Sequence, residues 1–232
     1  MAYTNIPPST AGSTGSASVA FARAQSLLGA ANITKVLGDD FGNDQWYRAI
    51  IAGTGTVAQN VTERGGVITL DTGATNAAFA VLYPHSTTTI HIGNPQTQRW
   101  YIRCRMKITT AVDAQALCYA GFATAGGGNP LLDIGVIGSL STAFISTKVT
   151  TNAGAATSTT STVAVDASYH IVEAWGDTTT VTAAWDGVSI FTTAVANVGT
   201  SPVTPTVVAG NGTTNAVRTV LCDYLYTCVG DP

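Results

Sequence analysis

The amino-acid sequence predicts an all-β protein, a sandwich or a barrel, preceded by an extended arm and one short helix. Thr supplies 38 of the 232 residues and Gly another 24, whereas charged residues make up only 10%. Thr is β-branched and fits a pleated sheet surface, so its excess favours strands. Short strand patterns follow one another from residue 39 onward, with turn signals at roughly 10-residue spacing. No longer period repeats, so a propeller or a solenoid is not expected.

Composition argues against two classes of partner. The net charge is −3, and binding to a polyanionic nucleic acid would require clustered Lys and Arg. The longest apolar run covers residues 77–83 and is far shorter than the roughly 18–20 residues that cross a membrane. We therefore expect neither nucleic acid nor a membrane as a partner. A surface so poor in charge is better tolerated outside the cell or among packed copies of the same protein.

The first 37 residues are predicted to form an assembly unit ahead of a β domain of residues 38–232. Pro7 and Pro8 fix an extended segment, and the Ser/Thr/Gly sequence that follows them is typical of a linker. An arm of this composition should be flexible on its own. We therefore expect the arm to dock on a larger particle or on a neighbouring subunit.

A short helix is expected over residues 18–28. Ser18 can cap its start, and Gly29 suits the position just past its end. Phe21 and Leu28 lie on one apolar face, which would be buried against the particle or the neighbour. The expected assembly contacts are Ile6, Pro7, Pro8, Phe21 and Leu28.

Residues 100–108 show the clearest strand pattern, because apolar and polar residues alternate along them. The alternation predicts one buried and one solvated face. The buried face would carry Trp100, Ile102, Cys104, Met106 and Ile108. The solvated face would carry Tyr101 and a basic stripe that either contacts an acidic neighbour or is simply solvated. That stripe consists of Arg99, Arg103, Arg105 and Lys107.

A hairpin is predicted over residues 180–191, with Asp186-Gly187 as a two-residue turn. The hairpin side chains expected to point inward are Val181, Ala183, Trp185, Val188 and Ile190.

Residues 116–123 are apolar on both faces, which predicts a central strand. Further strands are predicted at residues 67–70, 78–83, 169–175 and 219–228.

The four cysteines are interpreted as those of a protein made in a reducing cytosol, because no secretion signal is recognised in the first residues. We expect small buried hydrophobic side chains, with one cross-strand disulfide as the alternative. Cys222 and Cys228 lie on one predicted strand, too far apart to bridge each other. No CxxC spacing occurs, so a zinc site is not expected.

An ordered series of segments gives most of the chain a family resemblance. The series is Asp39-Asp40-Phe41, residues 65–73 (GGVITLDTG), 100–108, 119–123 (YAGFA), the Thr/Ser loop 150–162, 169–174 (YHIVEA), Trp185-Asp186-Gly187 and 221–225 (LCDYL). In this order the segments resemble the concanavalin A-like, laminin-G-like jelly-roll superfamily. The resemblance implies two antiparallel sheets packed face to face. It implies no single function, because the fold hosts lectins, glycosidases, adhesion modules and virion proteins.

Glycoside hydrolysis is the first enzyme activity to weigh for such a fold. It needs two carboxylates about 5–10 Å apart, and jelly-roll glucanases place them on one strand as Glu-x-Asp-x-x-Glu. The chain has two glutamates, Glu63 and Glu173, and neither lies in that context. His85, His91 and His170 have no G-x-S-x-G nucleophile motif beside them. We therefore expect no catalytic residues, no enzyme activity and no cofactor.

The densest acidic stretch is a candidate glycan or calcium loop. Its spacing lacks the D-x-D-x-D-G pattern of a calcium hand. A turn with an Asx cap before the first strand is the simpler interpretation, and we favour it. The residues of this candidate loop are Asp39, Asp40, Asn43, Asp44 and Trp46.

A jelly roll with a Thr-rich, poorly charged surface and an N-terminal arm resembles bacteriophage virion proteins. The resemblance implies a non-enzymatic structural protein, with a head decoration (cement) protein attached through its arm as the first expectation. Its partners would be the major capsid protein and copies of itself, for example in a trimer. It would be made in the host cytoplasm and exposed on the exterior of the virion. The alternatives are a tail or fibre protein, or a lectin-like adhesion module that binds a surface glycan.

Overall fold

The computed structural model describes residues 14–28, 33–39, 41, 46–60, 62, 66–84, 92–109, 118–124, 132–138, 144–150, 156–164, 166–211 and 215–230. These residues contain one α-helix, α1 (Thr14–Leu27), one 3-10 turn (Val195–Asn197) and fifteen strands. The strands are β1 Ile33–Asp39, β2 Trp46–Ala52, β3 Thr56–Gln59, β4 Ile68–Asp71, β5 Phe79–Pro84, β6 Arg99–Ile108, β7 Cys118–Thr124, β8 Leu132–Gly138, β9 Phe144–Thr150, β10 Ala156–Ala164, β11 His170–Gly176, β12 Thr180–Trp185, β13 Val188–Ala194, β14 Val203–Gly210 and β15 Thr219–Gly230.

The strands form two antiparallel sheets, as the sequence predicts. The first sheet has the order β13-β12-β11-β6-β15-β4-β3, and β1 also pairs with β15. The second sheet has the order β10-β9-β8-β7-β14-β5-β2. The last strand, β15, pairs with β1, β4 and β6 and so joins the beginning, the middle and the end of the chain in one sheet. The two sheets pack face to face and enclose one large apolar core.

Trp100 lies at the centre of this core. Its ring meets Phe122 of β7 edge-on, with the ring centroids 5.1 Å apart, and its indole N–H donates to the Pro95 carbonyl at 3.1 Å. On the neighbouring strand β11, a Cβ at Gly176 would stand 2.5 Å from the indole. Only glycine therefore fits beside this ring. The predicted inward face of β6 is confirmed, since its residues are all buried in the core: Trp100, Ile102, Cys104, Met106 and Ile108.

The predicted hairpin is present as β12 and β13. Asp186 has φ 49° and Gly187 has φ 81°, the two left-handed residues that a type I′ turn requires. Val188 lies directly opposite Trp185 and so on the core side of the sheet, but the expectation that it is buried is wrong, since its side chain is 63% exposed. The reason is its place at the tip of the hairpin on β13, which is the edge strand of its sheet. The other strand is buried as predicted at Val181, Ala183 and Trp185.

Helix α1 packs on the outer face of the first sheet. It begins at Thr14, so Ser18 lies inside the helix and does not cap it. The face of β6 that was expected to be solvated is covered at Tyr101 and Arg103, and that prediction is wrong there because the helix lies over it. The apolar residues in this contact are Ala20, Ala24, Leu28, Tyr101, Tyr224, Tyr226 and Cys228. Within the described part of the chain, no helix has the length and apolarity needed to cross a membrane.

The boundary expected between residues 37 and 38 lies inside strand β1. This strand pairs with β15 from Ile33 to Asp39, and the helix before it rests on the same sheet. Residues 14–39 therefore contact the sandwich wherever they are described. The role of residues 1–37 as an assembly unit stays a prediction.

Candidate functional site

Polar side chains are concentrated on the outer face of the first sheet, beneath helix α1. The adjacent strands β6, β11 and β15 supply them, because every second residue of a strand points to the same side of its sheet. We call this set the helix-covered face, and it consists of Tyr101, Arg103, Glu173, Tyr224, Tyr226 and Cys228.

Glu173 is the centre of a hydrogen-bond network on the helix-covered face, where only 1% of its side chain is exposed. Its Oε1 accepts from the Tyr101 hydroxyl at 2.5 Å and from Arg103 Nη1 at 2.9 Å. Arg23 of helix α1 donates to the same oxygen through Nε at 2.6 Å. The carboxylate therefore ties the helix to the sheet.

The electrostatics of this network keep its donors protonated. Burial, and then the neighbouring Glu173 carboxylate, raise the pKa of Tyr101 far above its usual value. Burial acts to lower the pKa of Arg103, but hydrogen bonds to Tyr224 and Tyr101 raise it overall. Three donors converge on Oε1 of Glu173, so this carboxylate is held in a buried ion network.

His170 lies between two carboxylates at the start of β11. Its Nδ1 is 2.7 Å from Asp186 Oδ2, and its Nε2 is 2.8 Å from Asp166 Oδ1. The imidazole also stacks on Trp185, with ring centroids 4.6 Å apart. Burial acts to lower the pKa of His170, but the hydrogen bonds to Asp186 and Asp166 raise it above 6.5. The same contact lowers the pKa of Asp166 to about 2, so the three residues form an ion-paired clamp.

The other carboxylates whose side chains are described also accept hydrogen bonds from their own chain. Asp71 accepts from a backbone N–H and from the Thr219 hydroxyl. Asp177 stabilises the turn between β11 and β12 by accepting from two backbone N–H groups. Asp223 pairs with Arg105. Among the side chains that the structure describes, no two carboxylates are left free for the acid and base roles of a glycosidase.

The basic stripe on β6 finds its partners within the chain. Lys107 lies over the ring of Tyr169, with Nζ 5.5 Å from the ring centroid, and Arg105 lies over the same ring. The remaining contacts are Arg103 with Glu173, Arg105 with Asp223 and Arg99 with the backbone carbonyl of Leu28. Two of the four residues of this stripe, Arg103 and Arg105, therefore pair with carboxylates of their own chain, and a contact of the stripe with an acidic neighbour stays a prediction.

The candidate glycan or calcium loop is described only at its two ends. Asp39 ends β1 and Trp46 begins β2, whereas Asp40, Asn43 and Asp44 lie outside the described residues. The loop therefore stays a prediction. In the described ranges, no group of three or more His, Cys, Asp or Glu side chains is arranged to hold a metal ion.

The structure describes only some of the expected assembly contacts. Ile6, Pro7 and Pro8 lie outside the described residues. Phe21 lies in helix α1, but its side chain is not described. Leu28 is 1% exposed and packs on the sheet of its own chain. Leu28 is therefore covered before any neighbour could bind it, which corrects its expected role.

Sequence reasoning missed the network around Glu173. One signal was available, because Glu173 interrupts an apolar strand between Val172 and Ala174. A charged residue in such a strand requires a partner when it is buried. Nothing in the sequence indicates that Arg23, distant along the chain, would be that partner.

No protein-family model matches the chain, and no curated protein matches it. Solved structures match its fold. A prokaryotic β-1,3-1,4-glucanase (lichenase) derived from a mouse hindgut metagenome superposes with a TM-score of 0.59 at 16% identity, over 85% of this chain and 99% of the lichenase. The carbohydrate recognition domain of Emp47p gives 0.58 at 9% identity, over 84% of this chain and 95% of that one. The fold is a concanavalin A-like jelly roll.

This jelly roll also matches the binding domain of botulinum neurotoxin DC, with a TM-score of 0.53 at 11% identity over 81% of the chain. The chain spans 44% of the length of that neurotoxin structure. At identities of 9% to 16%, the likeness shows the shared fold alone.

Proposed function

We propose that this jelly roll is a non-enzymatic structural protein of a bacteriophage particle that decorates the exterior of the head. One observation carries the proposal. Every carboxylate with a described side chain accepts hydrogen bonds from groups of the same chain. Glu173, the glutamate whose side chain is described, is buried beneath helix α1. A glycosidase of this fold needs a free pair of acids, whereas a decoration protein needs a stable body and a docking segment.

The docking segment in this proposal is residues 1–13, which precede helix α1. Ile6, Pro7 and Pro8 provide an apolar side chain and a backbone that prolines restrict to extended conformations. The Arg23–Glu173 ion pair fastens the helix behind this arm to the sheet, so that an anchored arm would also anchor the body. The partners would be the major capsid protein and neighbouring copies of the chain, for example in a trimer, and many weak contacts add up over a shell.

Co-sedimentation with phage particles tests this proposal. The full chain is expected to sediment with particles that lack it, and a variant without residues 2–13 is expected to stay in the supernatant with unchanged circular dichroism. Ile6→Asp should weaken binding, whereas Thr4→Asp, which adds the same charge at a residue not expected in the contact, should not. Particle binding that survives deletion of the arm would overturn the docking mechanism. A full chain that binds no particle would overturn the structural role.

A glycan-binding module is the second candidate, and the match to the Emp47p carbohydrate recognition domain favours it. Its site would be the loop that contains Asp39, Asp40, Asn43, Asp44 and Trp46. A glycan array, probed with the full chain in calcium and in a chelator, decides between the candidates. Glycan binding that Trp46→Ala removes would support this second function. A negative array together with particle binding would support the structural one.

A further inference from the structure

Two of the four cysteines lie in contact inside the core. Cys104 of β6 and Cys222 of β15 are fully buried, and their Sγ atoms are 3.5 Å apart. We propose that this pair is a disulfide-forming site, reduced when the protein is made and closed by oxidation in a non-reducing environment. The site stands apart from the proposed function, because it depends only on the two side chains and on an oxidant.

The register of the two strands explains the contact. Met106 lies opposite Cys222 and Leu225 lies opposite Cys104, with Asp223 as the additional residue of a β-bulge between them. A disulfide needs the sulfur atoms at about 2.05 Å, so they must approach from the observed 3.5 Å. A bulge loosens the local ladder and increases the twist of its strand. Cys222 therefore lies next to a bulge, where strand β15 can shift as the two sulfur atoms approach each other.

The sulfur atoms already form a short hydrogen-bonded chain. The Cys222 thiol donates to the Tyr224 carbonyl at 3.7 Å, which leaves its lone pairs directed elsewhere and lets the Cys104 thiol donate to it. Removal of the two thiol protons together with two electrons replaces this contact by a covalent bond between the same two atoms.

The remaining cysteines occupy other places. Cys228 lies on the helix-covered face, on the opposite side of the first sheet from the core that holds Cys104 and Cys222. Burial raises the pKa of its thiol to about 12, which keeps it protonated and a poor nucleophile. Cys118 faces the same core from β7 of the second sheet, whereas the sulfur atoms of Cys104 and Cys222 are already in contact. The pairing should therefore be selective for Cys104 and Cys222.

The chemistry is a two-electron oxidation. Two S–H bonds break and one S–S bond forms, and the two protons and two electrons pass to a disulfide oxidant such as glutathione disulfide, which is reduced to two thiols. The link would join residues 118 positions apart and tie β6 to the last strand, β15. Such a cross-link restrains the unfolded chain and raises the thermal midpoint.

Thiol counting and peptide mapping of the full chain test this proposal. Reduced protein is incubated with glutathione disulfide in the native state and, separately, refolded from denaturant in a glutathione redox buffer, since burial slows access to the native thiols. We expect the free thiols to fall from the four of the reduced chain to two, with the peptides of Cys104 and Cys222 linked and the thermal midpoint raised.

Matched single variants identify the pair. Cys104→Ala and Cys222→Ala should each abolish the linked peptide and the rise in thermal midpoint, whereas Cys118→Ala and Cys228→Ala should retain both. Retention of all four thiols after both treatments, or a linked peptide that contains Cys118 or Cys228, would overturn the proposal.

Discussion

Arg23 of helix α1 and Glu173 of strand β11 are 150 positions apart in the sequence, yet Arg23 Nε lies 2.6 Å from Glu173 Oε1. The two ends of this ion pair differ, since the Arg23 side chain is 35% exposed and the Glu173 side chain is 1% exposed. A buried carboxylate is costly unless it is paired and hydrogen-bonded. The helix therefore completes the environment of Glu173 and belongs to the stable body of the jelly roll.

Loss of the Glu173 charge should destabilise the fold more than loss of Arg23. Glu173→Gln leaves the buried Arg103 guanidinium without its counter-ion, and breaking a buried pair in this way costs about 3–5 kcal/mol. Arg23→Ala removes a half-exposed donor and should cost about 1–2 kcal/mol. Urea denaturation measures both, and Gln25→Ala on the exposed side of the helix serves as a control with no expected change. Equal effects of the two substitutions would contradict the asymmetry of the pair.

Gly176→Ala should destabilise the core. The added Cβ would lie 2.5 Å from the indole of Trp100, and overpacking of this kind costs about 1–3 kcal/mol. The indole cannot easily move away, because its N–H is bonded to Pro95. Gly93→Ala is the matched control, since the nearest atom to its Cβ would be 3.5 Å away. The free energy of unfolding should fall for the first variant and stay unchanged for the second.

The clamp around His170 predicts a pH dependence of stability. The folded pKa of His170 lies above the 6.5 of the free side chain, so the folded state binds the proton more tightly than the unfolded state. Its stabilising contribution is complete below pH 6.5 and is lost as the pH rises through the higher folded pKa. Denaturation midpoints measured across this window should decline, and His170→Gln should remove the decline. A wild-type profile that rises over the same window would be inconsistent with the clamp.

Thr227→Val should stabilise the protein. The Thr227 side chain is fully buried, and its hydroxyl finds no hydrogen-bond partner among the described residues. Val has nearly the same shape without the unsatisfied group, so the expected gain is about 1–2 kcal/mol. Thr206 is a matched buried threonine whose hydroxyl donates to the Thr204 carbonyl at 3.0 Å. Thr206→Val should therefore lose stability in the same denaturation experiment.

The sheets could be predicted from the sequence where local pattern decides the structure. The alternation of β6 places Trp100 and Met106 in the core, and Asp186-Gly187 specifies the turn of the hairpin. These features depend on neighbours in the chain, since side chains alternate along a strand and a type I′ turn needs two left-handed residues.

The covered outer face could not be predicted in this way. The pattern of β6 assigns Tyr101 and Arg103 to solvent, and only the packing of helix α1 on that side buries them. Such a contact is set by tertiary structure and leaves no periodic signal in the strand. The exposure of Val188 has a similar cause, because the position of β13 at the edge of its sheet is set by tertiary structure and not by the sequence of that strand.

In the function proposed above, the arm holds this jelly roll, as a chemically inert body, on the outside of a phage head. Electron microscopy of purified particles, labelled with an antibody against the chain, tests this proposal. The account predicts a regular array of label on the head surface, which is lost from particles assembled with a chain that lacks residues 2–13. Label that is absent from intact particles, with the chain recovered only as free protein, would contradict it.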